Sequence, residues 1–226
     1  MLRLTMVALL LASTAAFARP DVLISGGTIY DGSGGAPYPG WLAIEGDRIV
    51  GIGKSGTAAP AAARTIDATG KAVSPGFVNM LNWATESLIA DGRALSDITQ
   101  GVTLEVMGEG WSMGPLNPAM KAQTVKDQSD IKYPVTWTTL GEYLTFLEKK
   151  GIAPNVASFV GATTVRVHEI GEGDVDPTPA QLAAMQKLVR HAMNEGAMGV
   201  GSSLIYAPAF FAETPELIAL AKASAD

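Results

Sequence analysis

The sequence predicts an α/β protein: a small β unit followed by about four strand–helix units. Three observations predict it. Apolar runs separated by Gly-containing turns fill residues 21–75. From Pro75 onward, short apolar strands alternate with helical 3.6-residue patterns. Strands that alternate with helices imply a parallel sheet with right-handed crossovers.

Residues 1–18 read as a secretory signal. Arg3 supplies the positive charge, residues 6–12 the apolar run, and Ala16-Phe17-Ala18 the small-residue cleavage site. The run is too short for a bilayer core of about 30 Å, which takes about 20 helical residues. Small residues at the −3 and −1 positions favour cleavage over a retained anchor. The chain is expected to be secreted or periplasmic, with no stable membrane span.

Residues 19–75 follow as a β segment. Val22-Leu23-Ile24-Ser25 forms a strand that Gly26-Gly27 breaks. Trp41-Leu42-Ala43-Ile44 and Arg48-Ile49-Val50-Gly51-Ile52 flank Glu45-Gly46-Asp47, which is a hairpin signal. Two more short strands lie around Thr69-Gly70. A sheet this thin is marginal alone.

Residues 76–226 carry the strand–helix units. A strand at 77–81 leads to a helix at 84–98, and a second strand at 102–107 to a Gly/Pro-rich loop at 108–118 and a polar stretch. Thr139-Leu140-Gly141-Glu142 is a capping box whose helix ends at Gly151. A third strand spans 156–160. Thr178-Pro179-Ala180-Gln181 opens the next helix, closed by Gly196. A fourth strand at 198–205 precedes a helix opened by Thr214-Pro215-Glu216. A complete eight-unit barrel takes about 250 residues. Periodicity alone leaves two readings open, the front half of a barrel or an open four-stranded sheet.

Composition narrows the chemistry. Lys and Arg number 16 against 22 Asp and Glu, a net charge of −6, which disfavours nucleic-acid phosphates as partners. There are no cysteines, so no disulfide and no thiolate. With two histidines, His168 and His191, a cluster of several imidazoles cannot be assembled from this chain alone. Gly32-Ser33-Gly34-Gly35 lacks the following helix and Lys of a phosphate loop.

Three stretches carry a resemblance. Residues 21–34, from Asp21-Val22-Leu23-Ile24 to Asp31-Gly32-Ser33-Gly34, resemble the opening of the amidohydrolase superfamily. Residues 66–79, ending in Ser74-Pro75-Gly76-Phe77-Val78-Asn79, resemble the approach to its first barrel strand. Residues 196–208, with Thr214-Pro215-Glu216-Leu217, resemble the fourth unit of the N-acyl-D-amino-acid deacylases, or D-aminoacylases. The resemblance implies the N-terminal part of a (β/α)8 TIM-barrel metal-dependent hydrolase beside a small β-sandwich segment.

For chemistry, the resemblance implies hydrolysis of a non-peptide C–N amide bond by metal-activated water, with a divalent ion, zinc, as cofactor. The substrate class it implies is an N-acyl-D-amino acid or similar small amide. The family's His-x-His pair falls here on Leu81-Asn82-Trp83, and neither Leu nor Trp ligates a metal. The second-strand ligand position falls on Glu109, in Gly108-Glu109-Gly110. The remaining family ligands, the general base and the basic groups for the substrate carboxylate are expected beyond Asp226. These residues alone are therefore expected to be inactive, and a chain supplying the other barrel half is a conceivable partner.

Arg166, Ser202 and Tyr206 are the candidate substrate contacts; for Arg166 a salt bridge is the competing role. Trp83, Trp111 and Met113 suit either an acyl pocket or a packed barrel rim. Glu105 reads as a strand carboxylate that is paired or facing a helix end. His168, after the third strand, and His191, near a helix C-terminus, read as structural. Two competing functions remain: a non-catalytic relative that binds a ligand or partner, favoured by the lost histidine pair, and a dihydroorotase-like or isoaspartyl-dipeptidase-like hydrolase.

Overall fold

The computed structural model describes residues 19–226, so the expected export signal lies outside the described residues. The described chain divides into two compact units, one ending at Pro75 and one beginning at Gly76. Among the described residues no helix is long and apolar enough to cross a membrane.

The first unit is one mixed sheet. It contains β1 (Val22–Ile29), β2 (Tyr38–Glu45), β3 (Arg48–Lys54), β4 (Arg64–Asp67) and β5 (Ala72–Val73). The hairpin read from sequence is present: β2 and β3 pair antiparallel, with Glu45 opposite Arg48. Gly26-Gly27 does not end β1. A bulge between Ser25 and Gly27 takes up the extra residue, and the strand continues against β2. The strands around Thr69-Gly70 do not pair with each other; both run parallel to β1, β4 along its first half and β5 at its end. Asp67 turns the chain between them, its Oδ1 accepting from the Thr69 amide at 2.9 Å and the Thr69 hydroxyl at 2.6 Å.

The second unit opens with β6 (Phe77–Asn79). The single helix expected over 84–98 is two short ones, α1 (Ser87–Ala90) and α2 (Leu95–Ile98). Asp91 breaks it: its carboxylate accepts from the Arg93 amide at 3.0 Å and from the Arg93 guanidinium, and Ala94 lies in the left-handed region at φ 45°. Next comes β7 (Val102–Met107), as expected. The polar stretch after the loop holds an unexpected helix, α3 (Pro118–Asp127). Asn117 caps it, accepting from the Met120 amide at 2.9 Å, with Pro118 in its first turn.

Then follow α4 (Leu140–Lys150), with the expected capping box, β8 (Asn155–Ser158), β9 (Val160–Gly161) and α5 (Ala162–Ile170). Both α6 (Pro179–Asn194), again boxed by Thr178 and Gln181, and α7 (Thr214–Ala225) match the sequence reading. The fourth strand is shorter than 198–205: β10 covers only Val200–Gly201. It pairs on one side only among the described residues, and its continuation enters a 3-10 turn, Ala209–Phe211.

Every strand pair in this unit is parallel. β6 pairs with β7, β7 with β8, and β9 with β10. Phe159 joins β8 to β9, so the spatial order follows the sequence order. The sheets do not close among the described residues. Helices cover one face. Leu88, Tyr143, Leu147, Val165, Met185, Val189 and Leu220 pack there at 1% exposure or less. The first strand is bare, with Phe77 61% and Val78 49% exposed.

Candidate functional site at the carboxyl ends of the strands

The loop that leaves β7 crosses the ends of β9 and β10, and glycines permit it. Gly108 has φ +94°, and a Cβ there would strike the Phe159 backbone; a Cβ on Gly161 would strike the Gly110 carbonyl. Hydrogen bonds then fasten the loop to the start of α5. Thr163 N–H donates to the Gly110 carbonyl at 3.0 Å. Gly161 N–H donates to Ser112 Oγ at 2.9 Å, and Ser112 N–H to Thr164 Oγ1 at 2.7 Å. The half-buried Glu109 sits between the two anchored glycines.

After β6, Asn82 N–H donates to the Val106 carbonyl at 2.9 Å, and Asn82 Oδ1 caps the Ala84 amide. Asn82 is buried, while Leu81 and Trp83 on either side are 53% and 58% exposed.

Two cavities open here and share Trp83 and Trp111. The first, about 320 Å³, is walled by Met113, Leu116, Met120 and Val167, with Asp127 and Glu172 at its rim. The second, about 300 Å³, is lined by Glu109, Ser203, Tyr206 and Ala209. A cavity with apolar walls and a few polar groups at strand ends is where α/β proteins hold small molecules.

The structure therefore brings together Glu109, Tyr206, Trp83, Trp111 and Met113. It leaves out two of the expected contacts. Ser202 is exposed and its neighbour Ser203 lines the cavity instead. Arg166 is 1% exposed and takes the salt-bridge role: Nη1 lies 2.5 Å from Glu216 Oε2, and Nη2 donates to the Val175 carbonyl at 2.6 Å. Burial raises the Glu216 carboxyl above its ordinary value, against the pull of Arg166.

Glu105 is neither paired nor at a helix end. It is fully buried on β7, both carboxylate oxygens lack a partner, and burial raises its pKa, with Asp97 adding to the effect. Both histidines sit beside carboxylates, and His168, which follows the third strand, lies within α5. Its Nδ1 is 2.8 Å from Glu169, and the 58%-exposed His191 lies 3.4 Å from Glu195.

Sequence reasoning missed α3 and α5, which bring Met120, Asp127 and Val167 to the cavity. For α3 the signal was present in Asn117-Pro118. For α5 it was weak, because Gly161 offers no capping side chain.

A divalent ion finds little here. Glu109 offers one carboxylate, Leu81 offers only hydrocarbon, and the Trp83 indole donates rather than ligates. Among the described residues no three of His, Cys, Asp and Glu come together. These residues do not by themselves form a metal site.

No protein-family model matches the chain. An N-acyl-D-aspartate deacylase of Alcaligenes xylosoxydans xylosoxydans is 35% identical over 205 residues, 89% of this chain and 40% of that protein. The crystal structure of an N-acyl-D-glutamate deacylase from Bordetella bronchiseptica, complexed with zinc and a phosphonate inhibitor, superposes with a TM-score of 0.79 at 28% identity. The match covers 92% of this chain and 43% of that one. The D-aminoacylase structure described as defining a novel subset of amidohydrolases gives 0.76 at 30% identity, over 90% and 43%. The chain spans about two fifths of the length of the curated relatives it matches. It is a homologue of the N-acyl-D-amino-acid deacylases of amidohydrolase type, and it matches an N-terminal portion of them.

Proposed function

We propose that this chain is the N-terminal portion of an exported deacylase that hydrolyses the amide bond of an N-acyl-D-amino acid or similar small amide, with part of a TIM barrel as its scaffold. One observation carries the reading: an apolar cavity and a carboxylate-bearing cavity adjoin at the carboxyl ends of parallel strands, in a chain homologous to such enzymes. In the reaction, water adds to the acyl carbonyl, the C–N bond breaks, and the nitrogen leaves as an amine with a proton. The apolar cavity receives the acyl group, and the indoles of Trp83 and Trp111 mark the reacting end. In this reading Tyr206, which lines the second cavity, donates a hydrogen bond from its hydroxyl to substrate. A divalent ion, zinc, belongs to this chemistry in the longer protein. Among the described residues Glu109 is the one carboxylate that lines the second cavity, and in this reading the 226 residues alone are expected to be inactive. The export signal read in residues 1–18 supports a periplasmic or secreted site of action.

A second reading has its own observation. By the resemblance, Leu81 and Trp83 stand where the family has its histidine pair, which favours a non-catalytic relative that only binds an amide. Turnover separates the two. The longest natural form of the protein is given N-acyl-D-amino acids, and free amino acid is measured. Release that falls at least tenfold in Tyr206→Phe or Glu109→Ala supports the deacylase. Saturable binding without release from any substrate supports the binder.

A further inference from the structure

We propose that the cavity beside Trp83 and Trp111 is a subsite for an unbranched apolar group of about eight carbons whose outer end is neutral or cationic. Assigning that group to the acyl part of the substrate rests on the deacylase reading; the cavity's selectivity does not.

Size comes first. The cavity holds about 320 Å³. At about 30 Å³ per water-sized unit, that is room for roughly ten non-hydrogen atoms. Shape comes next. Met113, Leu116, Met120 and Val167 supply apolar lining, and methionines adapt to a flexible chain rather than demand a rigid shape. Met120, Thr124 and Asp127 lie three and four residues apart along α3, so one helix face runs from the apolar interior to the charged rim.

Charge sets the selectivity. Asp127 and Glu172 are exposed at the rim, and Asp127 is steadied by Gln123 Nε2 at 2.8 Å from each of its oxygens. Glu109 lies past the indoles in the adjoining cavity. Among the described residues no Lys, Arg or His lines either cavity. An anionic tail would meet carboxylates and no counter-charge.

Binding of octan-1-ol, octylammonium and octanoate to the full chain, followed by intrinsic tryptophan fluorescence, tests the proposal. Octan-1-ol and octylammonium are expected to saturate the signal, and octanoate to bind at least about fivefold more weakly at low salt, the gap closing as salt is added. Hexan-1-ol is expected to bind about tenfold more weakly than octan-1-ol. Thr124→Phe, on the half-buried face of α3, fills the cavity and is expected to weaken all three eight-carbon probes about tenfold. The exposed pair Asp127→Asn with Glu172→Gln is expected to bring octanoate level with octan-1-ol; circular dichroism checks that both variants fold. Equal affinity for octanoate and octylammonium, no saturable binding, or indifference to Thr124→Phe would overturn the subsite. Saturable, selective binding without amino-acid release from N-octanoyl-D-amino acids by the longest natural form would overturn the deacylase reading and leave the subsite standing.

Discussion

Arg166 and Glu216 meet inside the second unit, Nη1 2.5 Å from Oε2, with their side chains 1% and 3% exposed. The pair ties α5 to α7, and the same guanidinium holds the Val175 carbonyl. Arg166 Nε and Glu216 Oε1 are buried without partners, so the pair is incompletely satisfied. Removing one member strands the other charge in the interior. Arg166→Met alone is expected to cost about 3–5 kcal/mol in urea unfolding, and Arg166→Met with Glu216→Leu to recover most of it. A single replacement costing less than about 1 kcal/mol would contradict this burial.

Glu105 is a second buried carboxyl without a full set of partners. Its folded pKa is raised, by burial first and by Asp97 second. The unfolded chain then loses this proton at a lower pH than the folded one. Stability contributed by the protonated form is therefore lost as pH rises from the ordinary carboxylate range through the folded pKa. Glu105→Leu is expected to stabilise the protein by about 1–3 kcal/mol at pH 7, with a smaller gain near pH 4. Thermal unfolding at the two pH values measures it; a gain independent of pH would point to packing instead.

The carboxylate of Glu195, at the end of α6, serves the start of α4. It accepts from the Thr139 hydroxyl at 2.6 Å and from the Gly141 amide at 3.0 Å. Thr139 also caps the Glu142 amide. Glu195→Ala and Thr139→Ala are each expected to cost about 1–2 kcal/mol, and together less than their sum, because they share a bond. Full additivity in urea titrations would show that the two groups act separately.

Zinc analysis tests the donor set at the strand ends. With Glu109 the one carboxylate lining the second cavity and no cluster of three or more ligands among the described residues, the 226-residue chain is expected to retain well under about one zinc per molecule after dialysis, where a structural site needs four ligands. One full equivalent, lost in Glu109→Ala, would contradict that.

Local signals were legible where side chain and backbone cooperate. The capping boxes at Thr139 and Thr178 place α4 and α6 without ambiguity, because each combines a hydroxyl with a side chain three residues on. The parallel order was legible from alternation. Pairing partners were not: β4 and β5 look like a hairpin in sequence, yet both join β1, a choice made by strands far apart in the chain. The break at Asp91 was hidden because the apolar spacing of Leu88, Ile89 and Leu95 suits one continuous helix. In the site, Glu109 and Tyr206, both singled out by the resemblance, line one cavity. Met120 and Val167 were missed because their helices were missed, and Ser203 was displaced by one residue because β10 ends early.

The most direct measurement is the release of free amino acid from matched D and L pairs of N-acyl-amino acids by the longest natural form. Release from the D members, at least about a hundredfold above the L members and improving as the acyl group lengthens toward eight carbons, is the predicted result. No release from either series, with the D members bound all the same, would contradict it.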